Sequence, residues 1–258
     1  IERRSSDELS PIRRAVPNEV RGIVDTLNAL FDQVSRSLAA QSEFISNAAH
    51  QLRNPIAGVL SLAEAVNSAP TPELAKARSE DLLIAARETA DLTQKLLTME
   101  RAKALSPDKF HESFDIASAL EDWLYGLQSL ARPGVGIEIA LEDNLGTMTG
   151  DATMLREALT NLVDNAVRHG GKSLSKIIVA ASRDGRNLTL SVADDGQGMT
   201  DVEIVHAVQR FSQISPASGS GLGLPIAETV AESHGGRLEV TGLARGLRVE
   251  LVLPAHSA

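Results

Sequence analysis

The sequence predicts a multidomain protein: an antiparallel helical hairpin that pairs into a dimeric four-helix bundle, followed by an α+β sandwich. Three observations carry this. Apolar residues in the first third recur in alternating steps of four and three. The Pro-rich turn Asn67-Ser-Ala-Pro-Thr-Pro72 separates two such stretches. Beyond Ala104-Leu-Ser-Pro107, short apolar runs alternate with helical stretches.

Each element follows in order. Residues 1–17 are polar, contain Pro11 and Pro17, and read as loosely structured or as a truncated element. From Asn18 a helical seam begins: Leu27, Phe31, Val34, Leu38, Gln41, Ile45, Ala48 and Leu52. Gln41 is one polar interruption, of the kind that fixes register. Pro55 removes a backbone donor inside this pattern. The spacing predicts a kink after His50 and not a stop, because Val59, Leu60, Leu62 and Val66 continue the apolar face. A second helix over 72–103 carries Leu74, Leu82, Ile84, Leu92, Leu96 and Met99. A lone hairpin has too few apolar layers to cover its own seam, so pairing of two copies is the natural solution.

In the remainder, helices are expected over 116–130, 154–169 (opened by Asp151 as N-cap) and 224–234 (closed by Gly235). Strands are expected over 136–141, 176–181, 188–193, 237–241 and 247–253, with a hairpin turn at Asp184-Gly185. Phe114 and Trp123 read as core. His111, His206, His234 and His256 share no metal-ligand spacing and read as structural or solvated.

Composition removes several function classes. The 258 residues carry a net charge of -9, which argues against a nucleic-acid binder and against docking on anionic lipid. With no cysteine, disulfides, thiolate metal sites and cysteine nucleophiles are excluded. No run has the length to cross a bilayer. The chain begins at Ile1, so a membrane span is expected only upstream, in segments outside this chain.

Four segments carry chemistry. His50 lies in FISNAAHQLRNPI between seam positions Ala48 and Leu52, hence off the seam and open to a partner. An imidazole nitrogen is a good phosphoryl acceptor, and Arg53, nearly one turn on, can hold a phosphoryl group. Asn161, Asn165, Arg168 and His169 share one face of the helix over 154–169, while Leu155, Leu159, Leu162, Val163 and Ala166 face the sheet. A carboxamide oxygen from Asn165 suits magnesium, whose remaining ligands are waters and phosphates, and Arg168 and His169 can touch phosphate oxygens. Asp194 ends an apolar strand, and Gly196 and Gly198 follow. A carboxylate there can accept from an adenine amino group. Gly219, Gly221, Leu222 and Gly223 precede a helix whose first amides form an anion site. Each segment alone reads more readily as an exposed helix face or a tight turn; their order in one chain is what carries the functional reading.

That order resembles the cytoplasmic core of a sensor histidine kinase. FISNAAHQLRNPI is similar to the phosphoacceptor box. The later segments resemble the N, G1 and G2 boxes of the Bergerat ATP-binding fold, shared with gyrase B, Hsp90 and MutL. The resemblance covers residues 40–254. It implies a HAMP-like linker remnant and first-helix start over 1–36, a dimerisation and phosphotransfer domain over 37–104, and an ATP-binding domain over 105–258. It makes residues 199–218 the ATP lid, with Arg210-Phe211 a shortened F box, and Gly235-Gly236 the final glycine pair. It implies autophosphorylation of His50 from ATP with Mg²⁺, transfer to an aspartate of a response-regulator receiver domain, a homodimer, and a parent protein in the cell membrane. Gln51 departs from the family's usual acidic residue, which takes the imidazole proton. A carboxamide can orient the ring but cannot accept that proton. Asn54 fills the position associated with orienting a water for dephosphorylation of the regulator.

Two other readings share parts of this pattern. A gyrase- or Hsp90-like ATPase needs no phosphoacceptor, so the hairpin with His50 disfavours it. A nucleotide-binding signalling scaffold that transfers nothing fits Gln51.

Overall fold

A computed structural model describes residues 17–105, 107–110, 112–207 and 221–254. Gly219, Arg210-Phe211, His111, His256 and the linker residues 1–16 lie outside the described residues. The chain divides into two compact units, the second being Arg87–Ala258.

The first unit is helical. α1 (Asn18–Asn67) runs through Pro55 without ending. The proline removes one backbone donor, leaving the carbonyl of Gln51 without its helical partner, and the apolar face beyond it keeps the helix going. A turn over 68–71 leads into α2 (Pro72–Ala104). Here Thr71 Oγ1 accepts from the Leu74 amide at 3.3 Å, and Arg78 Nη1 donates to the Ala65 carbonyl at 2.6 Å, tying the helices across the turn. Along α1 the seam residues Leu27, Val34, Leu38 and Ile45 are exposed in the single chain. The last turns of α2, with Leu92, Leu96, Thr98, Met99 and Ala102 buried, belong to the second unit.

The second unit is an α+β sandwich. β1 (Ser113–Asp115) pairs antiparallel with β3 (Thr147–Thr149) in a small sheet. α3 (Ile116–Gln128) follows β1, with the Asp115 side chain accepting from the Ser118 amide as N-cap. The main sheet has the order β2-β4-β5-β7-β6. Its strands are β2 (Gly136–Leu141), β4 (Lys176–Asp184), β5 (Asn187–Asp194), β6 (Arg237–Gly242) and β7 (Leu247–Pro254). β2 is parallel to β4, and the other neighbours are antiparallel. The hairpin turn lies where expected, with Asp184 paired to Asn187 around Gly185.

α4 (Ala152–His169) and α6 (Gly223–Ser233) lie against this sheet and each other. Every second residue of β4 and β5 is buried: Ile177, Val179, Ala181, Leu188, Leu190 and Val192. Leu155, Leu159, Leu162 and Val163 of α4 and Ile226, Ala227 and Val230 of α6 are buried as well, with α4 against β5 and α6 against β6 and β7, so one face of the sheet forms the core. Asp151 caps α4 by accepting from the Met154 amide at 3.0 Å, a contact worth about 1 kcal/mol. α5 (Asp201–Ala207) was not foreseen; Thr200 and Glu203 close its first turn reciprocally at 2.8 and 3.4 Å. Nor were β1 and β3, whose three residues each are too short to show a period.

Phe114 and Trp123, expected in the core, are half-buried and lean on each other at 6.4 Å. His234 is structural: its ring is buried, stacks on Phe110 at 4.4 Å, donates from Nδ1 to the Val230 carbonyl, and accepts the Asp151 amide at Nε2. His206 is exposed.

Candidate functional site

In the first unit, His50, Arg53 and Asn54 are exposed on α1, and Gln51 is half-buried. The helix gives His50 an open face, because the seam carries Ala48 and Leu52 to the sides.

In the second unit, α4 is the hub. Asn161 is 3% exposed, and its Nδ2 donates to the Glu157 carbonyl at 2.8 Å. Its Oδ1 has no partner among the described residues. A buried carboxamide oxygen left without a donor is uncommon, and it marks a place where a ligand or water completes the site. One turn on, Asn165 is half-buried against the start of α6. A Cβ at Gly223 would stand 2.5 Å from both terminal atoms of its carboxamide, so only glycine admits this approach. α6 has no side-chain cap at Leu222, which leaves its first amides for an anion. Gly221 and Leu222 lie beside Gly223 at this helix start. Among the described residues no group of three His, Asp or Glu could hold a metal. The carboxamide of Asn165 beside the uncapped start of α6 nonetheless fits Mg²⁺, whose remaining ligands are waters and phosphates.

The C-terminal end of α4 meets the turn after β5. The Gln197 amide donates to the Gly170 carbonyl at 3.0 Å, and a Cβ at Gly196 would stand 2.5 Å from Gly170 Cα. Asp194 is half-buried at the end of β5. Its carboxylate accepts the Gly196 amide at 2.8 Å, and burial pushes its pKa above the ordinary carboxylate value, against the opposing pull of the Gly196 and Leu247 amides. Gly198 follows with φ of +68°.

Asp195, beside Asp194, was missed by sequence reasoning. It accepts the Ser175 amide at 2.8 Å, the Ser175 hydroxyl at 2.5 Å and the Lys176 amide at 2.9 Å. These donors, the Ser175 hydroxyl first, hold its pKa at about 2. The clamp ties the start of β4 to the turn after β5. No sequence signal links residues 20 apart in this way. Asp164 was also missed, although it directly precedes Asn165. It engages Arg168 at 2.8 Å, so in this structure the guanidinium expected at phosphate is held by a carboxylate of its own helix. His169 is half-buried at the end of α4.

The model for histidine kinase-, DNA gyrase B- and HSP90-like ATPases matches residues 150–257. The model for the His Kinase A (phospho-acceptor) domain matches residues 40–105. The chain belongs to the sensor histidine kinases. The sensor protein kinase PmrB of Pseudomonas aeruginosa is 32% identical over 98% of this chain and 54% of its own length. The chain thus spans about half the length of the curated sensor kinases it matches. Two solved histidine kinases share the fold at 18% identity. Acinetobacter baumannii AdeS has a TM-score of 0.62 over 81% of this chain and 98% of its own. ThkA, crystallised with the response regulator protein TrrA, has a TM-score of 0.65 over 86% of this chain and 64% of its own. Among the described residues no helix of this histidine kinase core is long and apolar enough to cross a membrane.

Proposed function

We propose that His50 takes the γ-phosphoryl group of Mg·ATP and passes it to an aspartate on the receiver domain of a response regulator. The observation that carries this reading is the pairing, in one chain, of an exposed His50 within the phospho-acceptor match and a site on α4 with an unpartnered buried oxygen at Asn161. An imidazole nitrogen of His50 forms a bond to the γ-phosphorus as the bond to the ADP oxygen breaks, and the imidazole proton leaves. Catalysis is mostly positioning and charge neutralisation. Arg53 counters phosphoryl charge. Gln51 orients the ring, and the proton leaves to water. Asn54 orients a water that hydrolyses the phosphorylated regulator.

In the ATP-binding domain Asp194 accepts the adenine amino group, with Gly196 and Gly198 giving the ring close access. Asn165 would hold Mg²⁺, which would supply charge neutralisation at the phosphates. Asn161, Arg168 and His169 face the phosphates, and the amides from Gly219 and Gly221 through Leu222 to Gly223 receive them. The exposed seam of α1 supports a homodimer. The working domains are residues 37–104 and 105–258, preceded by a linker over 1–36, in a parent protein anchored upstream in the cell membrane. The capture of ThkA with a response regulator supports the class of partner.

The test is incubation with γ-labelled ATP and Mg²⁺, with His50→Gln as control. Acid-labile label lost in the variant is the expected result. ATP turnover without label would leave a gyrase-like ATPase, and binding with neither would leave a nucleotide-binding scaffold.

A further inference from the structure

Asp164 directly precedes Asn165 on α4, and its carboxylate is shared. Oδ1 accepts from Arg168 Nε at 2.8 Å, and Oδ2 faces Lys95 Nζ of α2 at 3.2 Å. Lys95 also pairs with Asp91 at 2.8 Å. All four residues lie within the second unit. Lys95 and Asp164 are largely withdrawn from water, with side chains 14% and 21% exposed, whereas Arg168 is 46% exposed. Asp164 is the first cause holding the Arg168 guanidinium protonated, and Asp91 and Glu88 add to it.

Two consequences follow from charge alone. A phosphate must compete with Asp164 for Arg168. Lys95 neutralises part of the Asp164 charge and so weakens its hold on Arg168. If α2 moves so as to withdraw Lys95, Asp164 becomes a half-buried carboxylate whose remaining partner is Arg168, and the arginine is held more tightly.

We propose that Asp164 is a positioning residue of the nucleotide site, sharing its carboxylate between Arg168 and Lys95, so that Lys95 on α2 sets how readily Arg168 is released to a triphosphate. The proposal deepens the kinase reading and rests on it. It supplies a route by which movement of α2, the second helix of the phosphoacceptor hairpin, changes nucleotide affinity without touching the nucleotide.

The experiment measures affinity of the whole chain for a non-hydrolysable ATP analogue with Mg²⁺ and for AMP, alongside thermal stability. Lys95→Met is expected to weaken triphosphate binding about two- to fivefold, the range of a partly exposed ion pair, and to leave AMP binding unchanged. Lys95→Arg restores it. Asp164→Asn tightens triphosphate binding, and adding Lys95→Met to it has no further effect. Equal losses for AMP and triphosphate, an undiminished Lys95→Met effect on the Asp164→Asn background, or no effect of Lys95→Met would each overturn the proposal. Wild-type chain that binds triphosphate but places no label on His50 defeats the kinase reading alone, since the affinities still decide this one. Wild-type chain that takes up no triphosphate overturns both.

Discussion

Gly223 opens α6 against Asn165 so closely that the space for a single Cβ is already taken by the carboxamide, 2.5 Å away. The helix start that offers amides to an anion and the side chain suited to magnesium are therefore one packed unit.

Gly223→Ala is expected to push Asn165 aside, lowering affinity for Mg·ATP more than tenfold. Overpacking at this contact also costs about 1–3 kcal/mol of stability in the second unit. Calorimetric titration of nucleotide beside a thermal melt separates the two effects. Unchanged affinity would detach this contact from the site.

Asp194 makes the opposite trade. Its carboxyl has a raised pKa because the charged form is partly stripped of water. A carboxyl raised in the folded state favours folding below its ordinary pKa and loses that contribution as pH rises through the folded value. Asp194→Asn removes the charge and keeps an oxygen for the Gly196 amide. The variant is expected to melt at the same temperature or higher at pH 7, while nucleotide affinity falls at least tenfold. A lower melting temperature with intact binding would reverse the assignment.

Asp195 behaves differently because its three donors favour the charged form. Its pKa falls from 3.8 to about 2, so its contribution is complete above about pH 4 and fades as pH drops toward 2. Asp195→Ala should melt below wild type at pH 7, and the gap should close between pH 4 and 2. A gap that persists at pH 2 would mean the Ser175 contacts contribute little.

The main sheet and the long helices were legible because their signals are local. Apolar residues at period two mark β4, β5 and β7, and the four-three seam marks α1. The capping aspartate before α4 and the glycine closing α6 were legible for the same reason. Roles set by distant partners were not. Asp195 acts through Ser175, and Asp164 is engaged by Lys95 of α2, so no spacing rule reveals these partners, whereas the Asp164–Arg168 pair is an ordinary step of four along one helix. The short strands β1 and β3 exist only because each completes the other, with Ser113 paired to Thr149. Asn161 and Asn165 read as neighbours on one face, but only packing explains why Asn161 is buried with an unused oxygen while Asn165 meets Gly223.

Gln51 offers a chemical test at the other end of the molecule. A carboxamide cannot take the proton that His50 gives up, whereas a carboxylate can. Gln51→Glu is expected to raise the rate of His50 labelling at least tenfold at saturating ATP where phosphoryl transfer limits, with nucleotide affinity unchanged. Rapid-quench labelling measures it. A slower or equal rate would mean that proton removal is not limiting with glutamine in place.

His234 is expected to contribute to the acid sensitivity of the second unit. Its ring is buried, so its pKa lies below the ordinary 6.5, while the Val230 carbonyl and Asp151 pull the other way. Nε2 accepts the Asp151 amide at 3.0 Å and must stay unprotonated to do so. In the unfolded chain the same ring takes up a proton below about pH 6.5. The unfolded state then binds more protons than the folded one, and stability falls as pH drops through that range. The melting temperature of wild type should therefore decline from pH 7 to pH 5. His234→Gln should start lower, by about 1–3 kcal/mol for the disturbed buried contacts, and decline less over the same interval. Parallel pH profiles for the two proteins would show that another group sets the acid sensitivity.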